Sequence, residues 1–269
     1  MRVIICLMFT IVIGVQLVGL PPSYAQSPPK VSLQEDEALF IFFALPDGEA
    51  MLIATGNDKN YLVNTASKAS EDELIKQINH LGLKQIDGLI LTNHSESECG
   101  NTKRMVDRYH IETIYYHGNV RGDCMDQVME QANMEEWEQS ESHELTSSLQ
   151  VKVLPISKQD DMSLYFTFGK TSLLYLASGD TELEDALLHS SLKAEILKIG
   201  DYARTDSPTL KLLESVDPHI AMIYPLKGSS PNDGLLERLY ESWIDVYQLK
   251  KVGTTTVHCT KEDYELYPK

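Results

Sequence analysis

Apolar and polar positions along this chain keep two rhythms, and the switches between them predict its elements. Short apolar runs bounded by turn residues predict strands over 38–44, 50–54 and 61–64, with Pro46-Asp47-Gly48 turning between the first two. Over 71–82 the rhythm changes: Leu74, Ile75, Ile78 and Leu81 recur at helical spacing and Gly82 closes the helix. The apolar run 86–92 is a buried strand that ends abruptly in a polar cluster. A helix over 102–109, a strand over 111–116 and a helix over 123–137 follow. Strands are expected over 149–154, 164–168 and 172–177, the last two joined by Gly169-Lys170. The remainder reads as helix 182–189, strand 194–199, helix 209–216, strand 220–224 and helix 234–241. Residues 245–249 and 254–259 are expected to form a closing hairpin. Hairpins interleaved with β-α-β units, in one half and then the other, predict two mixed sheets with helices outside, an α/β (α+β) sandwich of αββα type. No repeat of 20–50 residues is visible.

The first 25 residues stand apart from this pattern. Arg2 precedes an almost uncharged run from Val3 to Leu20, Pro21-Pro22 ends it, and Ser23-Tyr24-Ala25 resembles a signal-peptidase site. The expected organisation is a signal peptide over 1–25, a polar tether over 26–37 and one domain over 38–269, secreted or held at the cell surface. A run this long also suits an uncleaved anchor, the only membrane contact expected. The full chain has 269 residues and a net charge of −17; loss of Arg2 with the leader makes it −18. Such acidity repels a phosphate backbone, and no Lys/Arg-rich cluster offsets it, so a long nucleic acid is not the expected partner. Of four cysteines, Cys99, Cys124 and Cys259 follow the leader, so one stays unpaired in a monomer and at most one disulfide forms.

The most informative stretch is Thr92-Asn-His-Ser-Glu-Ser-Glu-Cys-Gly100 at the end of the 86–92 strand. It has the frame of Thr-His-x-His-x-Asp-His-x-Gly, the metal loop of metallo-β-lactamase-like hydrolases. Further matches follow in order: Phe42 to Ile53, Leu62-Val-Asn-Thr-Ala66, Ser163 to Asp180, Leu197 to Ser207 and Gly253 to Val257. Together they resemble the C-terminal hydrolase-like domain of the ComEC/Rec2 DNA-uptake family over most of 38–260. The resemblance implies a metallo-β-lactamase-type αββα fold.

The departures from that pattern fall on ligand positions. In the ungapped register Asn93, Ser95 and Glu98 replace histidines and Ser97 replaces an aspartate. Asn64 and Ala44 stand at aspartate positions, Pro46 and Ala66 at glycines, and Asp201 at a histidine. Asp180, at the metal-bridging position, is retained. Glu98, Asp180 and Asp201 thus remain as an oxygen-rich set, better suited to Ca²⁺ or Mg²⁺ than to Zn²⁺; an ion held there would be Zn²⁺, Mn²⁺, Mg²⁺ or Ca²⁺. A one-residue shift would instead align His94, Glu96, Glu98 and Cys99 with the four-ligand motif. Among other histidines, His80 sits where an imidazole meets the last carbonyls of a helix, and His117-Gly118 follows a strand as a site loop does, although a lone histidine reads first as structural. Asp160-Asp161 and Glu135-Glu136 read as solvated surface. No nucleophile motif or phosphate-binding glycine loop is present. The expectation is a hydrolase-like protein that has lost zinc catalysis, needs no cofactor and binds an unidentified ligand. The alternatives are a divergent metal-dependent hydrolase or phosphodiesterase, and an accessory protein in DNA uptake.

Overall fold

In the computed structural model, which describes residues 33–118, 132–157 and 160–268, two β-sheets lie face to face. The first has eight strands: β1 (Ala38–Phe42), β2 (Met51–Thr55), β3 (Asn60–Val63), β4 (Gly88–Ile90), β5 (Thr113–Tyr116), β6 (Asn133–Glu136), β14 (Thr255–Cys259) and β15 (Tyr264–Pro268). The second has seven: β7 (Ser142–Thr146), β8 (Leu149–Ile156), β9 (Met162–Phe168), β10 (Thr171–Tyr175), β11 (Ile196–Lys198), β12 (Ile220–Ile223) and β13 (Asp245–Gln248). Their spatial orders are β15-β14-β1-β2-β3-β4-β5-β6 and β13-β12-β11-β10-β9-β8-β7.

Both faces of the central strands are buried, which is why they read as unbroken apolar runs rather than as alternation. Phe40 and Phe42 of β1 point between the sheets and meet Phe166, Leu164 and Tyr224. Leu39, Ile41 and Phe43 point the other way, onto Leu74 and Ile78 of α1 (Glu71–His80) and Met105 and Val106 of α3 (Thr102–Tyr109). The outer face of the second sheet is covered by α4 (Glu184–His189), α5 (Leu210–Val216) and α6 (Asp233–Glu241) through Leu187, Leu212, Leu213, Leu235 and Leu239. Three apolar layers separated by two sheets make the expected αββα sandwich. Two one-turn helices, α2 (Glu96–Cys99) and α7 (Leu249–Val252), complete it.

Three expectations need correction. The helix over 123–137 is not formed where the chain is described: residues 133–136 are β6, paired in parallel with β5, and the rest up to 131 lies outside the described residues. Trp137, 1% exposed, stacks on Tyr115 at 4.5 Å and on His143 at 4.2 Å, so tertiary packing overrides the helical preference of Met134-Glu-Glu136. Nor do residues 245–249 and 254–259 form one hairpin. β13 runs parallel to β12 in the second sheet, whereas β14 runs antiparallel to β1 in the first. The closing hairpin is β14–β15, whose second strand lies at the sheet edge, where Pro268 needs no donor. Finally, Asp161 is not solvated surface: it is 8% exposed and accepts hydrogen bonds from Ser157 and Asn93. The leader and most of the tether lie outside the described residues. Among the described residues no helix is long and apolar enough to cross a membrane.

Candidate functional site

At one end of the sandwich the loops that leave the two sheets enclose a cavity of about 740 Å³. The turn before β2 supplies Glu49, the β4–α2 loop Asn93 and Ser95, and α2 supplies Ser97 and Glu98. From the second sheet come Asp161 before β9, Asp180 after β10, and Asp201, Tyr202 and Arg204 after β11. The retained and replaced ligand positions named from the sequence thus largely share one cavity. Two do not line it. His94 lies against Tyr116, with ring centroids 6.3 Å apart. Asn64 is fully buried behind the wall, and its side chain joins β3 to β4. It accepts from the Thr92 amide at 2.9 Å and donates to Thr92 Oγ1 at 2.8 Å and to Glu49 Oε1 at 3.1 Å. An aspartate in its place could not donate to Glu49 and would add like charge.

Glu98 sets the chemistry of the near wall. Its Oε2 accepts from the hydroxyls of Ser95 and Ser97, and its Oε1 from that of Tyr202. Burial, with the charge of Glu49 next, pushes its carboxyl above the usual range. Burial, then Glu49 and Glu98, raises the Tyr202 phenol far above its usual value, so it remains a neutral donor to Glu98. Because the folded-state value of Glu98 exceeds the unfolded one, the fold disfavours its ionised form. Stability supplied by the protonated form is present below the unfolded value and is lost as pH rises through the folded one. Glu98→Gln should therefore gain on the native protein with rising pH, in urea unfolding followed from pH 4 to 8. A gap that shrinks with pH would contradict this origin.

Behind this wall lies a charge pair invisible to motif reading. Lys198 Nζ, on β11, contacts Glu49 Oε2 at 2.6 Å, with the two side chains 0% and 2% exposed. Lys198 also donates to the Leu176 carbonyl at 3.1 Å and lies 4.4 Å from the Tyr175 ring centroid. Tyr175 donates to Glu49 Oε1 at 2.8 Å. On the far wall, Arg204 pairs with Asp201, and Asp180 Oδ1 accepts from the Glu182 amide at 2.9 Å.

Several residues with a Cβ in these loops hold left-handed backbone. Ala66 holds φ +56°, and Asp201, Tyr202 and Ala203 hold +46°, +54° and +60°. Left-handed conformation disfavours any residue with a Cβ by roughly 1–2 kcal/mol. At Ala66 an alanine adopts it where the matching motif has glycine.

These residues do not fit the zinc centre the fold suggests. No histidine lines the cavity. Glu98 is engaged by three hydroxyl donors and Asp201 by a guanidinium. Among the described residues the one set of three His, Cys, Asp or Glu whose ligand atoms lie within 4.8 Å of one another is elsewhere, at His117, Glu136 and Glu138. The shifted register does not converge either. Glu96 is exposed and accepts from the Lys68 amide, while Cys99 is fully buried against the outer helices and disulfide-bonded. Cys259 is a free, buried thiol.

The crystal structure of YhfI from Bacillus subtilis, described as a metallo-β-lactamase fold protein, superposes with a TM-score of 0.58 at 13% identity, over 79% of this chain and 97% of that one. The chain has the metallo-β-lactamase fold. A diphosphatase of the PhnP family matches with a TM-score of 0.57 at 12% identity, over 83% of this chain and 97% of that one. Zinc-bound PqqB from Methylobacterium extorquens matches at 0.55 and 10%, over 78% and 97%. In sequence, ComE operon protein 3 of Bacillus subtilis is 24% identical over 202 residues, 68% of this chain and 26% of that protein. The chain therefore corresponds to about a quarter of that relative. No protein-family model matches.

The sequence located the cavity through its polar loop and the Asp180 motif but missed four residues that shape it. Glu49 and Lys198 carried no signal, since a lone carboxylate and a lone lysine 149 positions apart can only be paired by the fold. Tyr202 follows Asp201 at a motif histidine pair and could have been noticed there. Asp161 was set aside as surface.

Proposed function

We propose that this metallo-β-lactamase-fold protein does not hydrolyse its ligand through metal but binds a small polar molecule in the cavity. The observation that carries the reading is Glu98. It stands at a ligand-histidine position, and its carboxylate is engaged by the Ser95, Ser97 and Tyr202 hydroxyls instead of facing an ion. Asp161, Asp180 and Glu182 on the same walls favour a ligand rich in hydrogen-bond donors or positive charge. The test is metal content by mass spectrometry after loading the purified protein with zinc and manganese and desalting it. Asp180→Ala should leave the content unchanged. Stoichiometric metal lost on Asp180→Ala, together with cleavage of a phosphoester, would overturn the reading in favour of a divergent metal-dependent hydrolase. That alternative draws support from the hydrolases among its structural neighbours.

We also propose that the protein works outside the cytoplasm, secreted or tethered through its N-terminal segment. The apolar run before Pro21 and the disulfide at Cys99 support this. A role in DNA uptake rests on likeness to ComE operon protein 3, and the net charge weighs against it. Micromolar protein should leave DNA unshifted in a low-salt electrophoretic assay; a retarded band would restore that role.

A further inference from the structure

Away from the cavity, at the edge of the eight-stranded sheet, three metal-competent side chains meet. β5 and β6 run parallel with Tyr116 opposite Glu136, and the chain then leaves the sheet at His117 and Trp137. The Trp137 amide donates to the Tyr116 carbonyl at 2.7 Å, which holds the two strand ends together. Trp137 turns inward and is buried, so its neighbours Glu136 and Glu138 are turned outward and are exposed. One ligand atom each from His117, Glu136 and Glu138 lies within 4.8 Å of the other two.

The imidazole is also held ready. His117 Nδ1 lies 2.8 Å from the Trp137 carbonyl oxygen, which can only accept, so Nδ1 carries the proton. Nδ1 also lies 3.9 Å from Glu138 Oε2, and in the neutral ring the Nε2 lone pair is the one left for an ion. A backbone carbonyl that fixes tautomer and ring angle is a frequent outer partner of metal-bound histidine. Glu136 is partly ordered as well, because its Oε1 accepts from the Gly118 amide at 3.1 Å. Gly118, at φ +75°, leaves room for the Asp160 side chain: a Cβ there would lie 2.7 Å from Asp160 Oδ2.

We infer that His117, Glu136 and Glu138 form a surface site for a borderline divalent cation of the zinc class. One nitrogen and two carboxylates leave a tetrahedral ion one open position, which water can take. None of the three ligands lines the cavity, so the site is independent of the Asp180 position and of its chemistry. Bound there, the ion would join β5 to β6 and screen the Glu136 and Glu138 carboxylates at a sheet edge.

The test uses the full mature protein and zinc alone, with stoichiometry and affinity measured by equilibrium dialysis and titration calorimetry. One zinc should bind per chain, in the native protein and in Asp180→Asn alike. His117→Ala and Glu136→Gln should each weaken it by about tenfold or more. Glu136 is exposed, so its glutamine variant keeps the fold even if the loss of His117 disturbs Trp137; circular dichroism checks both. Absence of saturable zinc, or zinc held unchanged by both variants, overturns the site.

Discussion

Lys198→Met is expected to destabilise the protein by about 3–5 kcal/mol, because it leaves Glu49 charged and unpaired in the interior. For a domain of this size that lowers the thermal midpoint by roughly 10 °C. Glu49 reaches from the first sheet and Lys198 from the second, so the pair bridges the sandwich directly beneath the cavity. Tyr175 and Asn64 bind the remaining oxygen of Glu49, and Tyr224 spans the same gap to the Ala50 carbonyl at 2.8 Å. A buried pair need not add net stability, but removing one partner exposes the full desolvation penalty of the other. The double variant Lys198→Met with Glu49→Leu should therefore recover most of the loss. Thermal and urea unfolding of the native protein, both single variants and the double variant measure the coupling. Single variants that each cost below about 1 kcal/mol, or that simply add, would show that the pair is not the brace described.

Trp137→Ala should cost a similar amount, roughly 3–5 kcal/mol, from the cavity left by a large, fully enclosed ring. The indole lies between Tyr115 and His143 and therefore joins the last strands of the two sheets, β5–β6 on one side and β7 on the other. Its loss should loosen this edge first. Hydrogen exchange ought to show faster amides in residues 113–116 and 142–146 while those of β1 and β2 keep their protection. Uniform loss of protection would instead place Trp137 in the global folding core. The Trp137 carbonyl, which orients His117, is backbone and survives the substitution.

Much of the fold was legible because two-layer burial writes itself into composition. The apolar runs at residues 38–44 and 50–54 could only be central strands, and the spacing of Leu74, Ile75, Ile78 and Leu81 could only be a helix lying on them. The polar loop from Asn93 to Glu98 betrayed the site because it ends an apolar strand in the frame of a metal loop while replacing most of that motif's histidines. The edges were harder to read. Asn133–Glu136, Ser142–Thr146 and Tyr264–Pro268 carry exposed, polar side chains, and their strand character comes from partners rather than from their own pattern.

The sequence by itself determined the layers, the order of the central elements, the loss of motif histidines and the acidic balance, since each is a property of local spacing or composition. Only the tertiary structure decided which side chains meet. It paired Glu49 with Lys198, placed Tyr202 on Glu98, kept His94 out of the cavity and brought His117 to Glu136 and Glu138. It also split residues 245–249 and 254–259 between two sheets. Contacts between residues tens to hundreds of positions apart depend on the summed geometry of every strand between them, and that sum has no local signature.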